Sequence, residues 1–293
     1  MMKKKSMLIC AILVLIVTVL SACSGKNSES SGQASPSQSN QPGEQKASVT
    51  PPSSLAKKGV LTYATAATFP PFEYMSNNQF TGFDIELGQA IAEQMGLKVE
   101  IQSMNFDGLI PALQGKRIDM INSAMYIKPE REQQVDFVTY MGLGDSIVVK
   151  SGNPKGIKSL DDLSGNTVAV TRGAVEEINV REHNEKLKQA GKTEIKVLAL
   201  PTANDAVLAT EQGRADAFLH SSPGAAYLQE EKPGVFEIAG TFGSDTKIGI
   251  AVRKGDTEMK AAIEAALKNV VEDGTYKKLM DKYHLPEEMS YFK

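Results

Sequence analysis

The sequence predicts an α/β protein of two hinged lobes, each a helix-covered sheet, with a ligand cleft between them. Three observations carry this. A chain of 293 residues with 41% hydrophobic content can bury more than one core. Strand-like and helix-like runs alternate twice in the order β-α-β-α-β, which favours mainly parallel sheets covered by helices. Two further strand-like runs, Gly142–Lys150 and Lys247–Arg253, lie where the chain would pass from one unit to the other. Residues 59–141 with 248–293 are assigned to lobe 1, residues 146–243 to lobe 2, and 142–145 with 244–247 to the crossings. A pair of crossings makes a hinge, and the cleft beside a hinge is a standard place for a small ligand.

The amino terminus belongs to neither lobe. Lys3, Lys4 and Lys5 precede an apolar run from Met7 to Val17 that reaches Leu20 before Ser21-Ala22-Cys23, the layout of a secretion signal over residues 1–22. The apolar core is short for a membrane span, and Leu20-Ser21-Ala22-Cys23 matches the lipobox at which bacterial lipoprotein precursors are cleaved and lipidated on the cysteine. An uncleaved anchor helix is the alternative and gives the same topology. Cleavage also removes Cys10, so Cys23 would carry lipid and no disulfide is expected. Taking Lys3, Lys4 and Lys5 from the 32 basic residues leaves 29 against 35 acidic ones, a net charge of about −6, which argues against a nucleic-acid partner. From Cys23 to about Ser54 the chain is Ser, Gln, Asn, Gly and Pro without apolar periodicity, and it is expected to be a flexible tether. The body would then sit beside a cell membrane, on its extracytoplasmic face.

Gly59–Ala64 opens the body as a strand, and Phe69-Pro70-Pro71-Phe72 breaks it into a loop that presents two aromatics. Gly82 leads a helix with Asp84 as N-cap, Leu87, Ile91 and Met95 on one face and Gly96 at the stop. Leu97–Ile101 reads as a strand. Asp107 is placed as the cap of a short helix ended by Gly115, and Asp119 starts the strand that leads through Asn122, Ser123, Ala124 and Tyr126 to Pro129-Glu130-Arg131.

Pro129 suits a first helical position, because its missing N–H costs nothing there. Arg131 then falls in the first helical turn. A guanidinium at a positive helix end wants an anion opposite, since free N–H groups and the fork of donors converge on it; a bound carboxylate is one reading. The other is a surface ion pair with Glu130, Glu132 or Asp136, worth roughly 0–1 kcal/mol.

The second unit repeats the plan, with strands at Thr167–Thr171, Ile195–Leu200 and Ala217–His220, a helix from Gly173 to about Lys188 and another over Asn204–Gln212. Gln114-Gly115-Lys116-Arg117-Ile118-Asp119 and Gln212-Gly213-Arg214-Ala215-Asp216 each join a helix end to an apolar strand, a local likeness between the lobes. Helices over Thr257–Glu272 and Thr275–His284 close the chain and are expected to return to lobe 1.

From Gly59 to Pro286 the chain resembles the family 3 solute-binding proteins that deliver polar amino acids to ABC transporters, a periplasmic-binding-protein-like fold. The resemblance rests on Phe69-Pro-Pro-Phe-Glu-Tyr74, Gly82-Phe-Asp-Ile-Glu-Leu87, the run Phe106–Asp119, Pro129-Glu-Arg131 with Val135-Asp-Phe137, and Asp273–Leu279, in the right order behind a lipobox. It implies that Arg131 clamps a ligand carboxylate, that Ala124, Gly173, Ala174 and Val175 border the ligand, that a membrane permease is the partner, and that the protein is a monomer without cofactor or metal.

The departures bear on the ligand. Ser221 stands where many amino-acid binders have an Asp that holds the ammonium, Ala174 and Val175 replace hydroxyl residues, and Ala66 occupies a position that is often acidic. Tyr126 replaces Thr or Ser, and with Phe69 and Phe106 it would form an aromatic box similar to that of ectoine-binding members. Cation–π contacts contribute ~0.5–2 kcal/mol per good face, so a box can stand in for a missing acid. Phe106 has a plainer reading as packing under the helix that follows it.

A binding protein feeding an importer is the expected function, for an amino acid or an amino-acid-like zwitterion. The alternatives are a dehydratase-like enzyme acting on a small carboxylate and a ligand sensor for a membrane receptor. His183, His220 and His284 are not spaced as a metal pair, and no Ser/His/Asp grouping stands out.

Overall fold

The computed structural model describes residues 47–292, so the signal segment and Cys23 lie outside the described residues. Strands β1 (Val60–Thr65), β2 (Thr68–Phe69), β3 (Glu73–Ser76) and β4 (Gln79–Thr81) come first, then α1 (Phe83–Gln94), β5 (Lys98–Ser103), α2 (Leu109–Gln114), β6 (Met120–Ile121) and α3 (Pro129–Glu132). The long strand β7 (Val135–Lys150) leads to β8 (Thr167–Thr171), α4 (Val175–Gln189), β9 (Lys196–Leu200), α5 (Ala203–Glu211), β10 (Ala217–Ser221) and α6 (Ser222–Glu231). A second long strand, β11 (Phe236–Arg253), is followed by α7 (Thr257–Glu272) and α8 (Thr275–Lys282).

The fold is two-lobed, and the two lobe sheets are continuous. One eight-stranded sheet runs β5-β1-β6-β11-β7-β10-β8-β9, and β2-β3-β4 form a small separate sheet. β1 pairs parallel with β5 and β6, and β8 pairs parallel with β9 and β10, as the alternating runs require. The joint is β7 against β11, antiparallel from Val135↔Arg253 to Lys150↔Phe236, with a register break between Phe242 and Thr246 opposite Leu143 and Asp145. That break interrupts the ladder between the two lobes, and an interrupted ladder bends and twists more readily than a regular one.

Each half carries apolar layers of its own. Leu61, Tyr63, Phe83, Leu87, Ile91 and Ile263 pack in lobe 1 with α7 and α8 lying on α1; Ile147, Val168, Val170, Val180 and Leu219 pack in lobe 2. β1 is buried on both faces from Leu61 onward, as a central parallel strand must be. The tether expected through Ser54 ends earlier. Ser48 and Val49 donate backbone N–H bonds to the Gln94 carbonyl, an orphan at the end of α1, and Ser53 bonds Glu258.

Two caps differ from the sequence reading. α1 starts at Phe83 with Gly82 at its cap, and Asp84, fully buried in the first turn, instead accepts from the Tyr140 hydroxyl (2.7 and 2.8 Å) and the Ala124 N–H (2.6 Å). Asp107 lies inside a short 3-10 turn over Phe106–Gly108 whose cap position is Asn105. Gly82 is held at φ 128°, and a Cβ there would lie 2.1 Å from the Phe72 carbonyl oxygen. Gly82→Ala is therefore expected to destabilise by about 1–3 kcal/mol or more and to lower Tm by several degrees in calorimetry; an unchanged Tm would contradict this backbone.

Candidate ligand cleft

Between the lobes lies a cavity lined from lobe 1 by Ala66, Thr68, Phe69, Glu73, Phe106, Ser123, Ala124 and Tyr126 and from lobe 2 by Thr171, Ala174, Val175, Glu176 and Ala203. It offers about 30 Å³ to water-sized molecules, room for two or three waters at roughly 10–15 Å³ each. A ligand of amino-acid size needs more room than this.

Arg131 sits just behind this wall. Its position follows from α3, which Pro129 starts as expected. The side chain is 4% exposed, donates to the Tyr126 carbonyl at 2.7 Å and to the Gly173 carbonyl of lobe 2 at 2.9 Å, and lies over the Phe106 ring at 5.3 Å. This excludes the surface ion pair. Burial lowers its pKa to about 10 against the opposing charges of Glu176 and Glu130, so it stays charged at neutral pH. Two of its five N–H donors are spent on carbonyls, leaving three for an anion.

Phe69, Phe106, Tyr126, Ala124, Ala174 and Val175 all line the cavity. Gly173 is not among the lining residues but precedes one of them, Ala174; its carbonyl accepts from Arg131 and its N–H donates to Glu177 at 2.8 Å. Phe106 both lines the cavity and packs with Leu109 and Leu113, so its two readings are compatible. Ser221 lies farther off: wholly buried, it ends β10, and its hydroxyl accepts from the Gly224 N–H at 3.2 Å as the cap of α6. It does not line the cavity, because a Ser just before a proline-started helix is drawn to the orphan N–H groups there.

Further contacts join the lobes around the cleft. Phe69 stacks on His220 with centroids 4.5 Å apart; burial pushes His220 down to about 4, so the ring is neutral, and Gly224 leaves it space, since a Cβ would come within 2.2 Å of the ring. The Tyr126 hydroxyl donates to Asp145 at 2.8 Å, Asn179 of α4 donates to the same carboxylate at 3.1 Å, and Lys128 reaches Asn179 at 3.2 Å.

Sequence reasoning missed the acids. Glu73, Asp84, Asp145 and Glu176 are all buried in or beside the cleft. Burial raises Asp84 to about 7 despite its donors, Asp145 to about 6, and Glu176 to about 8 with the charge of Asp145 adding to the effect; burial and then the charge of Asp84 raise Glu73 well above the usual range. The cleft can thus hold an anion at Arg131 and positive charge at several carboxyls, with apolar aromatic faces between.

The comparisons with known proteins agree with this geometry. The model of the bacterial extracellular solute-binding proteins, family 3, matches residues 61–286. The arginine-binding extracellular protein ArtP of Bacillus subtilis (strain 168) is 33% identical over 233 residues, covering 78% of this chain and 88% of that protein. Among solved structures, an ancestral arginine-binding protein bound to arginine is 41% identical with a TM-score of 0.71, covering 77% of this chain and 98% of its own. The ancestral protein bound to glutamine is 39% identical, TM-score 0.71, covering 78% and 100%. With two lobes, a cleft between them and a family model that spans nearly the whole described body, the chain belongs to the family 3 extracellular solute-binding proteins of bacteria, which bind their substrates and are not enzymes.

Proposed function

We propose that this protein captures an L-amino acid between its lobes, with Arg131 on the α-carboxylate, and delivers it to the permease of an ABC importer. The observation that carries the reading is the buried guanidinium with unspent donors at the lobe junction, beside two aromatic faces. Glu176 and Asp145 are the groups suited to the ammonium in place of the acid missing at Ser221. The surplus of carboxyls over the single guanidinium favours a basic amino acid, in line with the arginine named for ArtP and for the ancestral protein. Opening and closing would occur about the crossings at 142–145 and 244–247, and Cys23 would tether the monomeric protein to the membrane by lipid.

A compact zwitterion such as ectoine is the second reading, favoured by the small cavity and its three aromatic neighbours Phe69, Phe106 and Tyr126. A thermal-shift panel on the mature protein separates the two, because a ligand at 100 times its Kd stabilises by about 2.7 kcal/mol. Arginine, lysine or another L-amino acid should raise Tm, and ectoine and glycine betaine should not. Shifts with the cyclic zwitterion alone would reverse the order of the readings, and no shift with any amino acid would overturn the first.

A further inference from the structure

The stack of Phe69 on His220 joins the two lobes, and its rings face different spaces. Phe69 lines the cleft, whereas His220 lines a second hollow of about 330 Å³ walled by Thr68 and Pro70 from lobe 1 and by Leu208 and Leu228 from lobe 2. The pair therefore stands between the two, with centroids 4.5 Å apart and planes 24° from parallel. The chain makes a place for the imidazole. Gly224 is glycine for space, since a Cβ there would lie 2.2 Å from Cε1 and 2.4 Å from Nδ1 of His220. The Ser221 hydroxyl, which accepts from the Gly224 N–H, leaves its own proton to Nδ1 at 3.4 Å, the arrangement of a neutral ring.

No free charge answers this ring. β2 and Pro70 bring none, and Ser146 stands opposite it on β7. α5 and the end of α6 bring Glu211 and Lys232 to the hollow, where the two pair with each other. Asp145, opposite Ser221, accepts instead from Tyr126 and Asn179. The face of one phenyl ring attracts an imidazolium only weakly, which does not offset burying a charge without a carboxylate beside it. We infer that His220 is a positioning residue for binding: when the lobes meet it supports Phe69 from lobe 2 and seats that ring against the ligand, and it does so only as the neutral imidazole. This rests on the proposal that an amino acid binds between lobes that part and close. Parting them takes away Thr68, Phe69 and Pro70, the lobe 1 side of the cover, and the imidazole returns toward its ordinary value of about 6.5. Meeting again lowers it to about 4, because burial disfavours the charge. Closure is thus fully favoured above pH 6.5, and below it each closure must expel a proton, so affinity falls as pH drops toward 4.

NMR titration of His220 with and without saturating L-arginine tests this directly, with solution scattering on the same samples to report closure. The chain holds three histidines, so the loss of one signal in His220→Phe identifies the ring. It should titrate at about 6–6.5 in the ligand-free protein and at about 4 in the saturated one. Between pH 7 and pH 5 this group should weaken binding about ten- to twentyfold. His220→Phe keeps an aromatic face for Phe69 without a titrating ring, so its ratio of Kd at pH 5 to Kd at pH 7 should be smaller by that factor, the carboxyls of the cleft acting alike in both proteins. His220→Ala removes the face and should speed dissociation of L-arginine at pH 7 about three- to tenfold, which His220→Phe should largely reverse. Should His220→Phe fail to fold, His220→Gln, also uncharged, serves for the ratio. An unshifted His220 in a protein whose radius falls on binding, or equal ratios in the wild type and the variant, would overturn the role of His220 and leave amino-acid binding standing. A radius and a pKa both unchanged at saturation would overturn lobe closure as well, and no binding of L-arginine would overturn this role together with the basic amino-acid reading.

Discussion

Arg131→Ala is expected to weaken amino-acid binding about ten- to a hundredfold, the equivalent of roughly 1.5–3 kcal/mol for losing charged hydrogen bonds. The loss should extend to every amino acid tested, because the α-carboxylate is common to them all. The guanidinium has a second task, since its bonds to the carbonyls of Tyr126 in lobe 1 and Gly173 in lobe 2 hold the lobes together. Part of the loss should therefore appear as faster dissociation. Stopped-flow fluorescence and calorimetry on the same variant would separate the two contributions. Arg131→Lys keeps the charge but not the planar fork, and it should recover only a fraction of the affinity. Wild-type affinity in Arg131→Ala would remove the carboxylate clamp from the mechanism.

The parallel strands and their helices are legible in the sequence because each is marked locally, by apolar runs ended with Gly or capped with Thr or Ser. Arg131 is legible because Pro129 fixes where α3 begins. The merger of the two sheets is not, since the pairing of β7 with β11 joins segments far apart in the chain and leaves no periodic mark on either. Ser221 shows a different limit. A likeness of motifs places it correctly at the end of β10, but the use of its hydroxyl is decided by the helix that follows. Glu73, Asp84 and Glu176 escape because sequence patterns assign carboxylates to surfaces and caps. Burial of an acid depends on what other segments bring to it, such as Ser123 for Glu73 and Tyr140 for Asp84.

These buried acids set the pH dependence of stability. A carboxyl whose folded pKa lies above its unfolded value stabilises the fold while it is protonated; that contribution is complete below about pH 4 and is lost as pH rises through the folded pKa. Asp145 completes its loss near pH 6, Asp84 near 7 and Glu176 near 8, while Glu73 shifts in the same direction. His220 works oppositely: its pKa is depressed to about 4, so its contribution is full above the unfolded value of 6.5 and falls away below it. The paired acids Asp136 and Glu177 have lowered pKa values, and their contributions are complete well before pH 6. Between pH 6.5 and 8.5 the raised carboxyls act alone. The ligand-free protein is therefore expected to lose about 2–4 kcal/mol over that interval, at about 1.4 kcal/mol for each unit a group must be titrated against its preference. In a chain of this size that is a fall in Tm of roughly 5–10 °C. Glu176→Gln should flatten the upper part of the profile, because it keeps the shape of the side chain and removes a group that titrates near pH 8. Scanning calorimetry at low and high salt is the measurement, since buried groups respond little to screening. A Tm that is level or rising from pH 6.5 to 8.5 would mean that these acids are charged in the folded protein and that their surroundings already provide the counter-charge.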